Sequence, residues 1–212
     1  MLKKIFLAVM MISLAVSASA QDLSIISLPQ PQLDSQKSLA QALKERKSTR
    51  TFSKKQLPIQ TISNLLWSAC GINRPDTGRR TAPSAVNWQE IEVYVATAEG
   101  LYLYDVKQHI LKQIFNQDIR ALTGKQPFVG EAPVNLIYVA DFSKMGGANT
   151  EERNFYSAAD TGFISQNVYL YCAAEGLATV VRALIDKEEL AKAMKLRSTQ
   201  KIMLAQSVGY TQ

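Results

Sequence analysis

The chain has 212 residues, of which 47% are hydrophobic and 20% charged, with 10 glycines, 7 prolines and a formal net charge of +6. These values are typical of one globular domain with a sizeable core, and they exclude collagen-like, disordered and disulfide-scaffold proteins. One histidine, His109, and two cysteines, Cys70 and Cys172, are too few for the usual zinc spacings, so no metal site is expected.

The first twenty residues have the pattern of a secretory signal peptide. Lys3 and Lys4 precede an apolar run at residues 5–16, and Ala18-Ser19-Ala20 forms a small-residue cleavage site. The apolar run is shorter than the roughly 20 residues of a membrane-spanning helix. We therefore expect an exported, periplasmic protein that begins at Gln21 and is not stably inserted in the membrane, with an uncleaved anchor as the alternative.

The first part of the mature chain predicts an extended arm followed by two helices. Residues 21–33 lack helical periodicity and contain two prolines, so we expect an arm rather than a core element. Asp34 or Ser35 is placed to cap a first helix that ends near Lys47. A second helix is expected at Ile59–Cys70, where a glycine follows. Their apolar faces comprise Leu39, Ala42 and Leu43 in the first and Ile62, Leu65, Leu66 and Ala69 in the second.

The middle of the chain predicts a polar, basic loop at residues 73–87 and then three strands. Residues 91–97 and 101–106 are rich in β-branched and aromatic residues and are expected to form a hairpin. Residues 134–141 are almost continuously apolar, as in a strand that is covered on both faces. Between these strands, residues 116–124 fit a short helix, and a flexible glycine-rich link follows the third strand.

A long helix is expected at residues 151–175, because apolar residues occur nearly all round it. Its burial from several sides predicts either a large single core or a dimer interface. After a break at Gly176, we expect an extended segment at 179–182, a short helix capped by Asp186, and a final strand at 201–210. The chain contains no linker or repeat, so these elements predict one α+β domain.

The segment Arg46-Lys47-Ser48-Thr49-Arg50 follows the first helix and is called here the basic segment. In extended backbone alternate residues point the same way, which would place two guanidinium groups and a hydroxyl around one phosphate. Basic residues at the end of a helix also interact favourably with the helix dipole. On this pattern alone, both explanations stay open.

A second basic cluster, Arg74, Arg79 and Arg80, precedes a loop of small residues at 83–87, which we call the small-residue loop. Such a loop lets backbone approach a flat ligand closely, and the Asn87 amide can read the edge of a heterocycle; a plain turn is the alternative. Few aromatic residues accompany the basic clusters, so no nucleic-acid partner is expected. The clusters suit a compact anionic ligand, with solvated loops as the alternative.

The basic segment and the small-residue loop, in this order, resemble the R-[RHK]-S-x-R and P-S-A-x-N motifs of the nitroreductase family. The resemblance continues through Gly100–Asp105, residues 158–186 and residues 202–210. These segments are similar to the branch of the family that contains the thiazoline and oxazoline dehydrogenases. It implies a nitroreductase-like α+β fold, with a mainly antiparallel central sheet flanked by helices and a long buried helix at a homodimer interface. Residues 34–212 would form the FMN-binding domain.

The resemblance also implies FMN as the cofactor, bound between the two subunits. Arg46, Ser48 and Arg50 would hold its phosphate and ribityl chain, and Lys47 would add backbone contacts or charge. The small-residue loop of the partner subunit would line the isoalloxazine ring, and the end of the extended segment would lie near the N5 and O4 edge. The loop residues that would contact the ring are Pro83, Ser84, Ala85 and Asn87. The residues at the end of the extended segment are Arg182 and Ala183.

A family member of this kind is an FMN-dependent oxidoreductase whose chemistry resides in the flavin, so no catalytic side chain is assigned. Hydride transfer at flavin N5 would link a small-molecule electron donor and acceptor in a ping-pong sequence. Ala178, Leu184 and a C-terminus without basic residues depart from the family pattern. They motivate the alternative of a flavin-binding protein without significant turnover, and an exported interaction module without a cofactor is the third possibility.

The residues left outside this site have structural expectations. His109 is expected on the surface beyond the hairpin. Cys70 and Cys172 lie in apolar helical stretches, where buried free thiols are common, with a disulfide as the alternative in an oxidising compartment.

Overall fold

The computed structural model describes residues 24–34 and 37–212, so the expected signal peptide lies outside the described residues. The chain forms four α-helices and nine strands in the described part. The helices are α1 (Leu39–Glu45), α2 (Ile59–Cys70), α3 (Thr150–Glu175) and α4 (Lys187–Ala193). The strands are β1 (Ile25–Ser27), β2 (Ile72–Arg74), β3 (Arg79–Arg80), β4 (Ile91–Thr97), β5 (Gly100–Asp105), β6 (Ile110–Phe115), β7 (Val134–Asp141), β8 (Ala178–Arg182) and β9 (Gln200–Gly209).

Seven strands form one sheet in the order β1-β6-β5-β4-β7-β9-β8, and every neighbouring pair is antiparallel. All eight residues of β7 are buried, because this strand lies inside the sheet and both of its faces are covered. Leu136 and Tyr138 belong to the core on one face, whereas Ile137 and Val139 belong to the core on the other. The predicted α+β architecture with an antiparallel central sheet is confirmed.

The two faces of the sheet are covered by different helices. On one face α2 and α3 pack together, and Leu65, Leu66 and Val168 join the larger core. On the other face Leu190 of α4 and Met194, which directly follows this helix, belong to the second core. Burial of these apolar side chains is the main driving force that joins helices to sheet, at about 25 cal/mol per Å² removed from water.

The N-terminal segment differs from the predicted arm, because Ile25–Ser27 pairs with β6 as an edge strand and Leu28 is buried in the core. The prediction that Asp34 or Ser35 caps the first helix is wrong: Ser38 is the N-cap, and its hydroxyl accepts from the Gln41 amide at 3.2 Å. The predicted polar loop at 73–87 also contains structure, namely the small hairpin of β2 and β3 and a 3₁₀ turn at Ala85–Asn87.

The long helix α3 begins at a capping box formed by Asn149 and Glu152 and ends at Gly176, whose φ of 70° suits a glycine. In a single chain it is buried on one side only. Phe155 is 67% exposed and Phe163 47% exposed. The expectation that one large core buries α3 from several sides is therefore wrong, and an unpartnered apolar face remains.

His109 is half-buried rather than on the surface, so that prediction is wrong. Its Nε2 lies 2.7 Å from the Ser63 hydroxyl and 3.1 Å from the Pro29 carbonyl, and its Nδ1 lies 2.8 Å from the Tyr104 hydroxyl. The histidine thus joins the N-terminal segment to α2 and β5.

Cys70 and Cys172 are buried free thiols, as predicted, and the disulfide alternative is wrong. Within residues 24–34 and 37–212, no helix combines the length and the apolar character needed to cross a membrane.

Candidate functional site

The basic segment is held against α3 and β8 by a tyrosine. Tyr169 of α3 accepts a hydrogen bond from the Val181 amide of β8 at 3.0 Å, and its hydroxyl lies 2.7 Å from the Ser48 hydroxyl. The Arg46 guanidinium lies 5.3 Å from the centre of the same ring, within cation–π range. The Thr49 amide donates to the Thr179 carbonyl at 2.9 Å. Arg46 and Ser48 therefore face the same tyrosine, on a segment fixed by backbone contacts.

The positive charge of this segment is not neutralised. Arg46, Lys47 and Arg50 make no ion pair with any described residue, and all three are exposed or half-exposed. A neighbouring cavity of about 510 Å³ is lined in part by Lys44, Lys47 and Tyr169. The Arg46 guanidinium, which has no ion-pair partner in the described part of the chain and faces the same tyrosine as the Ser48 hydroxyl, is a donor of the kind that binds phosphate oxygens.

The backbone is strained in the small-residue loop and at Gln89, two residues after it. Val86, Asn87 and Gln89 have φ angles of 51°, 58° and 51°, in the left-handed region that costs a β-branched residue about 1–2 kcal/mol. Hydrogen bonds hold this conformation, because the Gln89 backbone amide donates to the Ser84 hydroxyl at 2.8 Å and the Gln89 side-chain Nε2 donates to the side-chain Oδ1 of Asn87 at 3.1 Å. Strain of this kind clusters at ligand-binding sites.

Two buried carboxyl groups lie next to this loop, and one of them accepts a hydrogen bond from it. Asp160 of α3 accepts from the Ala85 amide at 2.9 Å and lies beside Glu90, and both side chains are almost completely buried. Burial is the main reason why the pKa of each carboxyl is raised. Sequence reasoning missed this pair, although an acidic residue in the middle of an apolar helix was a detectable signal.

Arg182 is turned into the protein rather than toward a surface site. It is 6% exposed, and its terminal nitrogens donate to Ser207, Thr123 and Asn135 at 2.7–2.9 Å. Burial lowers the pKa of this guanidinium to about 10. Arg182 therefore supports the end of β8 from inside, whereas Ala183 after it is exposed.

The predicted site residues form two separate groups in one chain. The basic segment contacts α3 at Tyr169 and the small-residue loop contacts it at Asp160, positions separated by about 13 Å along a helix that rises 1.5 Å per residue. The cavity beside the basic segment and the cavity beside the loop share no lining residue. One chain thus holds two incomplete parts of the predicted site.

Comparison with known proteins shows to which family the chain belongs. The sequence profile of the nitroreductase family matches residues 43–210. The chain belongs to the nitroreductase family. A protein of Methanocaldococcus jannaschii that is provisionally named a nitroreductase is 28% identical over 169 residues, which cover 75% of this chain and 85% of that protein. A provisionally named nitroreductase from Ralstonia eutropha, known from a crystal structure, is 41% identical with a TM-score of 0.85, covering 89% of this chain and 90% of that chain.

More distant structures share the nitroreductase fold. A chain of the Escherichia coli microcin synthetase McbBCD complex is 22% identical with a TM-score of 0.69, covering 97% of this chain and 85% of that chain. A Staphylococcus epidermidis protein, provisionally named an NAD(P)H:FMN oxidoreductase, is 15% identical with a TM-score of 0.65, covering 86% and 91%. At these identities the likeness shows the fold alone. Membership of the nitroreductase family assigns this chain to a family of oxidoreductases.

Proposed function

We propose that this protein is an FMN-dependent oxidoreductase that binds the cofactor phosphate with Arg46, Ser48 and Arg50. The observation that carries the proposal is the basic segment itself, where cations without ion-pair partners flank a hydroxyl held by Tyr169. A dianionic phosphate satisfies these donors, and their chemistry therefore fits FMN. Lys47 adds a further positive charge at the same place.

The second part of the site is the small-residue loop. When bound, FMN supplies reversible hydride transfer at N5. In this chain Pro83, Ser84 and Ala85 offer a flat surface of small side chains to the ring, and Asn87 offers an amide to its edge. The name of the staphylococcal structure supports FMN as the cofactor of this fold. Ala183, exposed at the end of β8, completes the residues assigned to the flavin.

We propose that a homodimer brings the two parts together. On α1 and α3, which contact each other, Leu39, Leu43, Phe155 and Phe163 are between 47% and 67% exposed. Between Asn154 and Ala174 of α3 the one charged residue, Asp160, is buried, so the exposed side of this stretch carries apolar and uncharged groups. Association through this face would bury these groups and place the small-residue loop of one subunit near the basic segment of the other.

The proposal also covers the cellular location of the protein and its substrates. After removal of the signal peptide at residues 1–20, the protein would work in the periplasm on a small-molecule electron donor and acceptor, in a ping-pong sequence. The motifs resemble the thiazoline and oxazoline dehydrogenase branch, and the likeness to a chain of the microcin synthetase complex supports that branch at the level of fold. Leu184, 58% exposed beside Ala183, supports the alternative of a flavin-binding protein without turnover, since it narrows access to the proposed flavin edge.

The test removes the two guanidinium groups in the double variant Arg46→Gln/Arg50→Gln. A charge-assisted hydrogen bond contributes about 1.5–3 kcal/mol, so loss of two partly exposed ones should raise the FMN dissociation constant on the order of 100-fold. The control is Lys192→Gln/Lys195→Gln, which removes the same charge from exposed positions at α4. Unchanged FMN affinity in the arginine variant contradicts the assignment. Reduction of the bound flavin and its reoxidation by a quinone distinguish an enzyme from a flavin-binding protein.

A further inference from the structure

A group of three arginines lies beside the small-residue loop and takes no part in the site described above. Arg74, Arg79 and Arg80, the arginine cluster, line a cavity of about 420 Å³. The other wall of the cavity is formed by the small-residue loop, including Ser84 and Asn87. We propose that the arginine cluster binds the anionic group, a carboxylate or a phosphate, of the molecule that exchanges electrons with the flavin. This inference rests on the proposed function and names the substrate class of the same site.

The cluster is built on a short, fixed hairpin. β2 and β3 place Arg74 opposite Arg79, and the Arg74 guanidinium donates to the Arg80 carbonyl at 2.7 Å. The Gln89 side chain, which also bonds Asn87, donates to the Gly78 carbonyl in the turn of the hairpin at 3.0 Å. The hairpin and the small-residue loop are therefore connected, and a ligand held by one lies against the other.

The charge of the arginine cluster is unbalanced. None of the three guanidinium groups forms an ion pair with a described residue, and no acidic residue lines the cavity. The Nε of Arg80 is buried and has no hydrogen-bond partner among the described residues. Acidic residues are nearby: Asp76 lies in the hairpin turn, and Glu90 and Asp160 share a small neighbouring cavity with Arg80.

The size and position of the cavity favour a substrate group. Ligand pockets commonly have volumes of about 300–1,000 Å³, so this space accepts a small organic anion. The phosphate of FMN is already assigned to Arg46 and Arg50. Guanidinium groups bind carboxylate and phosphate in the same bidentate geometry, and an arginine at the rim of a flavin site would orient an anionic molecule against the ring.

The experiment compares three nitroaromatic probes of similar size: 4-nitrobenzoate, 4-nitrophenyl phosphate and the neutral 4-nitrobenzamide. Binding to the oxidised FMN-loaded protein is followed by the change in flavin absorption, and the photoreduced protein is mixed with each probe to follow reoxidation. In Arg74→Gln/Arg79→Gln, the dissociation constant of at least one anionic probe should rise about tenfold, the loss of one charge-assisted contact. The neutral probe should shift less than twofold. Lys192→Gln/Lys195→Gln serves as the charge-matched control.

The outcomes separate this inference from the proposed function. Equal shifts for charged and neutral probes, or no shift for either anion, overturn the subsite, and FMN affinity measured on the same variant shows whether the flavin site itself has changed. If the wild-type protein takes up no FMN, the proposed function fails. In that case, calorimetric titration of the wild-type protein and the arginine variant with 4-nitrobenzoate and 4-nitrophenyl phosphate tests anion binding without the flavin. Absence of binding that depends on the arginines overturns the proposed anion site. The single variant Arg79→Gln, at an exposed position, repeats the test if the double variant unfolds.

Discussion

The buried pair of Glu90 and Asp160 predicts a contribution to stability that is lost as the pH rises. Glu90 is 0% exposed and Asp160 is 2% exposed, and burial raises the pKa of both carboxyl groups in the folded state. The unfolded chain releases these protons near the ordinary carboxyl pKa of about 4. Above that pH the folded state holds more protons than the unfolded state, so the free energy of unfolding falls as the pH rises toward the folded pKa.

The variant Glu90→Gln tests this reasoning, because its amide resembles the neutral carboxyl group and does not titrate. For each proton retained in the folded state, the free energy of unfolding changes by about 1.4 kcal/mol per pH unit. Above about pH 5, we expect the free energy of unfolding of the wild-type protein to fall by up to this amount per pH unit relative to that of Glu90→Gln. The variant should therefore gain relative stability as the pH rises from about 5 toward the raised folded-state pKa, and no further above it.

The assay is urea unfolding of both proteins at several values from about pH 5 to 8, with equal m-values as the condition for comparison. His109 titrates in the opposite sense, because burial lowers its pKa and its contribution to stability is lost as the pH falls. The difference between variant and wild type removes this shared contribution. Glu188→Gln, at an exposed position of α4, is the control and should follow the wild type. Parallel pH profiles for Glu90→Gln and the wild type would refute the argument that burial raises the pKa of Glu90.

Three further predictions concern strain, thiols and the buried guanidinium. Val86→Gly should raise the free energy of unfolding by about 0.5–1 kcal/mol, because relief of the positive φ exceeds the entropic cost of glycine and Val86 is 80% exposed; a lower melting temperature would contradict this. Cys70 and Cys172 should resist a thiol reagent until the protein unfolds, since burial raises the pKa of Cys70 to about 11 and that of Cys172 further; rapid labelling of native protein would contradict it. Arg182→Met should lower the free energy of urea unfolding by about 3 kcal/mol, because it removes the buried hydrogen bonds that Arg182 donates to Ser207, Thr123 and Asn135; a cost near zero would show that these bonds contribute little.

The elements that sequence reasoning placed correctly are those with a strong local pattern. Helix α2 and strand β7 have their predicted bounds, because helical periodicity and a continuous apolar run are properties of the segment itself. Strand β6 was not predicted, since Ile110–Phe115 is only partly buried and one of its partners, β1, is more than 80 residues away. Pairing of this kind depends on long-range contacts that the local sequence does not contain.

The cap of α1 shows a second limit. Asp34, Ser35 and Ser38 are all residue types that favour the N-cap, and local sequence does not choose among them. The structure selects Ser38, at the point where α1 begins to pack on α3.

For the candidate site, motif spacing located the basic segment and the small-residue loop, but not the direction of every side chain. Arg182 follows a typical strand pattern, and its inward direction is set by Asn135 on β7 and Ser207 on β9. These partners come from strands that are 25 or more residues away in sequence. The buried pair beneath the loop likewise joins α3 to the entrance of β4, and only the fold brings these carboxyl groups together.

The most direct test of the account is the identification of a bound chromophore in the purified protein. The visible spectrum is recorded, the protein is heated to release any bound molecule, and that molecule is identified by mass spectrometry. The account predicts the two absorption bands of a flavin and release of FMN, with one FMN per subunit after loading. A colourless protein that takes up no added FMN would contradict the central claim that Arg46, Ser48 and Arg50 form a flavin phosphate site.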